Sequence, residues 1–390
     1  MATAKDNKMI IVFTSIIYIL IIVGLIFIYS SSSVFALEKL GNANFFVKKQ
    51  LVGILLGSIG LFTLRFIPIK NIFRMTPLIF IFSLSLTILS MTKFLGQTIH
   101  GSSRWINIYG VGFQPSELLK ISFILYAAYF IDKKGTKIRT LSKGYAPFLV
   151  ILGIISLILL KQPDFGQTIT ISLTGIILLF LAGCKIKHIL FTCLATTPLL
   201  ITLVALKAYR LKRVLTFLNP WNDPQGSGFQ IIQSLIAVGS GNFWGVGIAN
   251  SKQKFFYLPM QHTDFVFSII AEETGFLGCA MLILLYMALI YSGFALASKT
   301  ENVFCRFTIL GFTILTGLQS MINIFVATGL APTKGIGLPF VSYGMSSIIC
   351  NLTMVGIIIN CFINENELNS VKFTSSNSLS NQRASAHQIL

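Results

Sequence analysis

Acidic side chains are scarce in this chain: twelve aspartates and glutamates stand among 390 residues, against thirty lysines and arginines. Charged residues make up 11% of the sequence, where a soluble domain carries about 25%. Hydrophobic residues reach 54% and mean hydropathy is +0.80. This balance excludes a water-soluble globular enzyme. Histidine is nearly absent, with four residues (100, 188, 262 and 387) scattered along the chain, which leaves no histidine-based metal cluster. The six cysteines all lie in or beside apolar segments, so they read as small buried hydrophobes and not as a disulfide framework. The glycine-rich run 239–247 has no preceding strand and no surrounding βαβ unit, which excludes a nucleotide fingerprint. It forms a compliant loop whose backbone N–H groups suit an anion.

What is present is a series of long apolar runs. The reading is an all-α integral membrane protein with about ten transmembrane helices, each about 20 residues long. The expected spans are 9–30, 47–66, 75–93, 116–132, 145–161, 165–182, 188–206, 264–297, 305–327 and 344–363. Residues 9–29 follow Lys5 and Lys8 in the manner of a secretory signal. Their apolar run exceeds the roughly 7–15 residues of a signal core, so they are read as a retained first span. Lys and Arg cluster in the loops holding Arg65, Lys70 and Arg74, then 133–143, then Lys185 and Lys187. Those loops and both termini are assigned to the cytoplasm. Residues 1–363 form one polytopic domain, and the Ser- and Asn-rich tail 364–390 is expected to be disordered.

The net charge of +18 lies in short loops, where topology and anionic lipid place it, and does not by itself indicate nucleic acid. The extracytoplasmic loop 207–263 between spans seven and eight departs from this pattern. It carries Lys207, Arg210, Lys212, Arg213, Lys252 and Lys254. Long loops tolerate such charge; a binding surface for pyrophosphate or lipid head groups is the functional alternative. Phe229, Ile232, Leu235 and Ile236 recur there at helical spacing, with Gly239 as a stop. Trp221 and Trp244 are interfacial anchors.

With so few carboxylates the search for an acid or base is short. Outer-face candidates are Glu117, Asp164, Asp223 and Asp264, with Glu272 and Glu273 deeper in the eighth span. Asp264 lies at the mouth of that span in His262-Thr-Asp-Phe-Val-Phe267. It suits either a helix N-terminal acid, contributing about 0.3–1 kcal/mol through the helix dipole, or a base whose pKa burial raises and nearby cations lower. Glu272 and Glu273 fit a structural network, with a proton relay as the alternative. Glu117 and Lys120 pair on the first turns of the fourth span. Arg104 reads as an interface anchor or a phosphate fork. Asp164 sits in a short turn that it helps to shape. A Mg²⁺ ion bridging a carboxylate and a pyrophosphate is compatible with these residue types, and no resident metal site is read.

The ordered motifs Arg104-Trp-Ile106, Gln114-Pro-Ser-Glu-Leu-Leu-Lys120, Pro163-Asp-Phe-Gly166 and Phe217-Leu-Asn-Pro-Trp221 resemble those of the SEDS proteins (shape, elongation, division and sporulation). The likeness continues through Gly226-Ser-Gly-Phe-Gln230, Gln233-Ser-Leu-Ile-Ala237, His262-Thr-Asp-Phe-Val-Phe267 and Glu272-Glu-Thr-Gly-Phe276. It closes with Pro332-Thr-Lys-Gly335 and Leu338-Pro-Phe-Val-Ser-Tyr-Gly344 and spans residues 10–363. Ser251-Lys-Gln-Lys254 and the Pro-Thr-Lys-Gly form are closer to the division branch than to the elongation branch. The resemblance implies a ten-span peptidoglycan glycosyltransferase that polymerises lipid II at the outer face of the bacterial plasma membrane, at the division septum. It also implies a class B penicillin-binding transpeptidase (FtsI-like) and other divisome membrane proteins as partners. The family's essential aspartate falls on Asp264, and its loop arginine and span-four acid and lysine fall on Arg104, Glu117 and Lys120. Arg213, Lys254, His262 and Lys334 complete the expected substrate-binding set. Met260, Ala327 and Met345 depart from the family pattern, which commonly has Glu, Asn and Gly there. A lipid II flippase, or a division scaffold with weak catalysis, are the alternatives in other functional classes.

Overall fold

The computed structural model describes residues 4–92, 96–99, 102–108, 111–206, 208–255 and 258–368. Lys207, and the tail beyond residue 368, lie outside the described residues, as does the side chain of Arg210. In hydrocarbon no water is available to satisfy backbone N–H and C=O groups, so apolar segments close their hydrogen bonds internally as helices. In chain order these are α1 (Ala4–Leu40), α2 (Phe45–Phe66), α3 (Ile69–Leu89), α4 (Pro115–Lys134), α5 (Ala146–Lys161), α6 (Phe165–Leu181) and α7 (Ile186–Ala205). They continue with α8 (Ala208–Leu218), α9 (Phe229–Ser240), α10 (Val266–Lys299), α11 (Val303–Ala327) and α12 (Met345–Asn364).

Each of the ten expected spans overlaps a helix. Among the described residues, seven helical segments are long and apolar enough to cross a membrane. The chain is a multi-pass membrane protein. Helix α4 does not meet the same standard because it carries Glu117, Lys120, Asp132, Lys133 and Lys134. Most of its residues are buried, between α3, α6 and α11, so it faces protein where its neighbours face lipid. Helix α12 packs along α2 at close range: a Cβ on Gly356 would lie 2.5 Å from the Leu61 carbonyl oxygen. Small residues permit such backbone approach between membrane helices.

Three features depart from the sequence reading. The segment before α4 is not simply a loop. It folds into a three-stranded antiparallel meander of β1 (Gly96–Ile99), β2 (Ser102–Ile108) and β3 (Val111–Phe113). Arg104 and Ile106 alternate with Trp105 and Asn107 along β2, and Ile106 is buried, the period-two pattern of a half-buried strand. Second, the long polar loop contains α8 as well as the expected α9. Third, residues 365–368 are tied down: Glu365 accepts from the Glu301 and Asn302 N–H groups at 2.8 Å, and Glu367 accepts from Ile69 at 3.1 Å.

The eighth span is also broken. Gly275 has φ 66° and ψ −161° inside α10, a conformation reserved for glycine. Residues 266–274 therefore form a separate short helix, and 276–299 alone give about 36 Å of helix at 1.5 Å per residue, enough to cross the hydrocarbon core. The loop 242–247 closes the break. Val246 and Gly247 donate to the Glu272 and Glu273 carbonyls, and Phe276 donates to Asn242. Glu272 and Glu273 thus lie on the short segment before the span, not within it.

A Gly275→Ala variant is expected to lose thermal stability, because its Cβ would lie 2.4 Å from the Gly245 nitrogen and 2.6 Å from the Phe243 oxygen. Gly153→Ala, with nothing within 4 Å, is expected to be neutral or mildly stabilising. Melting temperatures of the two variants in detergent check the contrast.

Candidate active site

Asp264 sits in a tight turn just before α10. The turn is organised by Met260, whose φ of 57° is left-handed and whose carbonyl accepts from the N–H groups of Thr263 and Asp264 at 3.2 and 3.1 Å. A second support comes from α11. Asn323 Nδ2 donates to the Asp264 carbonyl at 2.8 Å and to the Ile336 carbonyl at 2.7 Å. It thereby fixes the Asp264 turn against the loop 328–344. The N-cap of α10 is Phe265, which makes no side-chain cap bond. Among the described residues the Asp264 carboxylate makes no capping hydrogen bond; it faces a cavity of about 980 Å³.

That cavity is formed by the starts of α2, α4 and α12, by β2, by Arg213 on α8, Gln230 on α9 and Gln319 on α11, and by the loop 333–344. Asp264 is half-buried on its wall. Burial raises its pKa to about 7, opposed by Arg104 and Arg213 and assisted by Asp164. Removal from water is thus the dominant influence, and a carboxyl group near neutrality can exchange a proton at physiological pH.

The expected site residues fall into two groups. Arg104, Glu117, Lys120, Arg213 and Lys334 line the cavity with Asp264. Lys254 and His262 do not. The Lys254 ammonium is buried, donates to the Ala249 carbonyl and lies 3.8 Å from Glu273 Oε1. His262 is packed among Phe35, Phe46 and Tyr343, with ring centroids 6.0, 4.4 and 5.8 Å away. Burial lowers its pKa to about 4, so it is a neutral ring that pins α2 to the Asp264 turn.

Two ion pairs, one buried and one with a half-buried arginine, stiffen the wall. Lys120 Nζ lies 2.7 Å from Glu117 Oε2, and Gln167 Nε2 donates to Glu117 Oε1 at 2.8 Å. Arg104 lies 3.7 Å from Asp164 and donates to the Gln162 and Pro163 carbonyls. Asp164 also caps α6 by accepting from Gln167 N–H at 3.2 Å. Its pKa is raised by burial in spite of Arg104. Asp223, the remaining candidate acid, belongs to the loop: bonds from Ser227 and Lys212 hold its pKa down to about 2. Glu272 and Glu273 form a latch. Glu272 accepts from Lys252 N–H at 2.9 Å and from the Ser251 hydroxyl. Glu273 accepts from Ser30 on α1 at 2.6 Å.

Sequence reasoning missed Lys48 and Lys49, which also line the cavity. A basic pair at the end of a span that the loop charges assign to the outer face breaks the positive-inside pattern, and that was the available signal. Gln114 and Gln230 stood in the ordered motifs without a role of their own, Gln167 and the Ser346-Ser347 pair carry no spacing signal, and all five line the cavity. The family departures lie close by. Met260 and Met345 line the cavity, and the buried Ala327 gives its carbonyl to Ser234 at 2.7 Å.

Among the described residues, no group of three or more His, Cys, Asp or Glu is placed to hold a metal ion. Breaking a buried ion pair strands a charge, at a cost of about 3–5 kcal/mol, whereas replacing both partners with apolar residues is often neutral. Glu117→Leu is therefore expected to destabilise the protein more than Glu117→Leu with Lys120→Met. Thermal unfolding of both variants in detergent checks the order.

Comparison with known proteins places this architecture. Residues 10–367 match the profile of the FtsW/RodA/SpoVE family, described as cell cycle proteins. The chain is 43% identical over 338 residues to a probable peptidoglycan glycosyltransferase FtsW of Trichlorobacter lovleyi, covering 86% of this chain and 88% of that one. It is 38% identical over 358 residues to stage V sporulation protein E of Bacillus subtilis, covering 92% and 98%. In three dimensions it superposes with TM-score 0.75 on a chain from a peptidoglycan synthase complex that coordinates polymerization and crosslinking, at 30% identity and over 90% of this chain and 96% of that one. The rod shape determining protein RodA of Thermus thermophilus gives TM-score 0.66 at 25% identity, over 90% and 95%. Matched along most of its length in both sequence and fold, this chain belongs to the FtsW/RodA/SpoVE family of cell cycle proteins.

Proposed function

We propose that this chain is a peptidoglycan glycosyltransferase that polymerises lipid II at the outer face of the bacterial plasma membrane during division, with Asp264 as general base. Its relatives named as peptidoglycan glycosyltransferases support the reaction class. The observation that carries the assignment is the half-buried Asp264 carboxylate on the wall of a cavity lined by six lysines and arginines, its pKa raised to about 7.

In this reading the Asp264 carboxylate takes the proton from the acceptor sugar 4-hydroxyl. The freed oxygen pair attacks the donor anomeric carbon as the bond from that carbon to the diphosphate oxygen breaks. The lipid diphosphate leaves with the bonding electrons, and attack from the opposite side inverts the anomeric configuration. Cavity cations stabilise the charge that develops on the leaving group, typically a large part of such catalysis. Proton removal contributes roughly 10²–10⁴-fold. Asp264 is the carboxylate on the wall without an ion pair among the described residues. The site therefore fits a Mg²⁺ only as an ion brought in largely by diphosphate oxygens, where it would offset their charge. Proton removal by Asp264 and departure of the diphosphate do not depend on it.

The loop charges support cytoplasmic termini with the cavity outside, and the likeness to division proteins supports action at the septum. A class B penicillin-binding transpeptidase is the expected partner. The described relative within a peptidoglycan synthase complex is consistent with that pairing.

Asp264→Asn keeps size and polarity and removes the proton acceptor. The expected result is a folded protein whose lipid II polymerisation falls by at least roughly 10²-fold; near wild-type polymerisation would exclude the base role. For the wild type, a base with its pKa raised to about 7 is inactive when protonated. The specificity constant kcat/KM is therefore expected to rise with pH through about 7. A profile already level from pH 5 upward would contradict it.

A further inference from the structure

The cations of the cavity are not equivalent. Six line it: Lys48, Lys49, Arg104, Lys120, Arg213 and Lys334. Lys120 is neutralised by Glu117 at 2.7 Å and Arg104 by Asp164 at 3.7 Å. Their charge is already committed to the protein, and both also hold helix starts and turns in place. Arg213 is exposed on α8 and its guanidinium reaches the Thr333 carbonyl at 3.5 Å. Among the described residues, Lys48, Lys49 and Lys334 make no ion pair with a carboxylate. Burial disfavours the charge on Lys334 and lowers its pKa, so an anion brought beside it would restore the lost stabilisation.

Lys49, half-buried beside the exposed Lys48, is held against its own helix start. Lys49 Nζ lies 4.5 Å from the Phe45 ring centroid. Phe46, next in the chain, packs on His262 at 4.4 Å and on Tyr343 at 5.0 Å. Tyr343 N–H donates to the His262 carbonyl at 3.0 Å. The start of α2 is thereby fixed to the Asp264 turn and to the loop that carries Lys334. A lipid diphosphate diester carries two ionised oxygens, and compact ammonium groups suit such point charges.

We propose that Lys48, Lys49 and Lys334 form the diphosphate-binding cradle of this cavity, and that Arg104 and Lys120 serve chiefly as positioning residues of its wall. The proposal rests on the glycosyltransferase reading for the choice of a lipid diphosphate, but its test does not require turnover. The probe is undecaprenyl diphosphate titrated into the full-length protein in nanodiscs, with undecaprenyl monophosphate as the comparison. Lys48→Gln with Lys49→Gln, and separately Lys334→Gln, are expected to weaken diphosphate binding at least about tenfold and to shrink the preference for diphosphate over monophosphate. Lys39→Gln, an exposed lysine outside the cavity wall, is expected to change it less than about twofold. Melting temperatures within a few degrees of wild type show that the variants are folded. Diphosphate binding unchanged in both cavity variants, or weakened equally by Lys39→Gln, overturns the cradle. Lipid II polymerisation by the wild type is measured in parallel. Polymerisation with lysine-independent binding refutes the cradle alone. Lysine-dependent binding without polymerisation supports the cradle and counts against the glycosyltransferase reading.

Discussion

Asn323 donates to two carbonyls from different parts of the chain, Asp264 and Ile336, and the geometry of the site depends on that bracket. It joins the turn before α10 to the loop after α11, so the acid and the Lys334 loop hold one arrangement. A buried amide satisfied on both N–H bonds is costly to displace. From the other side the His262 ring packs against Phe46 and Tyr343 and fixes the start of α2 to the same turn. The carboxylate is therefore set by packing and hydrogen bonds on two sides before any substrate arrives.

This preorganisation explains how charge is distributed in a chain with so few acids. Of the twelve, Glu117, Asp164, Glu272 and Glu273 are consumed by structural contacts. The latch made by Glu272 and Glu273 ties the loop 251–254 to α1 and to the short helix before Gly275. That latch is possible because the break at Gly275 keeps both carboxylates out of the membrane-crossing segment. Asp264 is left as the acid whose carboxylate is free for chemistry on the cavity wall. The surplus of cations around it suits an anionic, lipid-borne substrate.

Much of the fold was legible because hydrophobic length is a strong signal: each of the ten apolar runs overlaps a helix. Asp264 was legible from its place beside an apolar run and from the surrounding motif. The break at Gly275 was not, since one glycine in an apolar run is as compatible with a continuous helix as with a kink. The β-meander was hidden because its short strands pair only with one another, and α8 because its cations made it read as loop. Lys254 shows the limit of reading charge by position. It stands among loop cations in sequence, yet its ammonium turns inward to Glu273. His262 shows the same limit, since adjacency to Asp264 in the chain does not bring its ring to the cavity.

The central claim is that Asp264 changes protonation near neutrality because its surroundings withhold water. Infrared difference titration of protein carrying ¹³C-labelled aspartate, wild type against Asp264→Asn, reads that carboxyl directly. The account predicts a neutral-carboxyl band, absent from the variant, that disappears as pH rises through about 7. A band lost near pH 4, the ordinary range of an exposed aspartate, would contradict it.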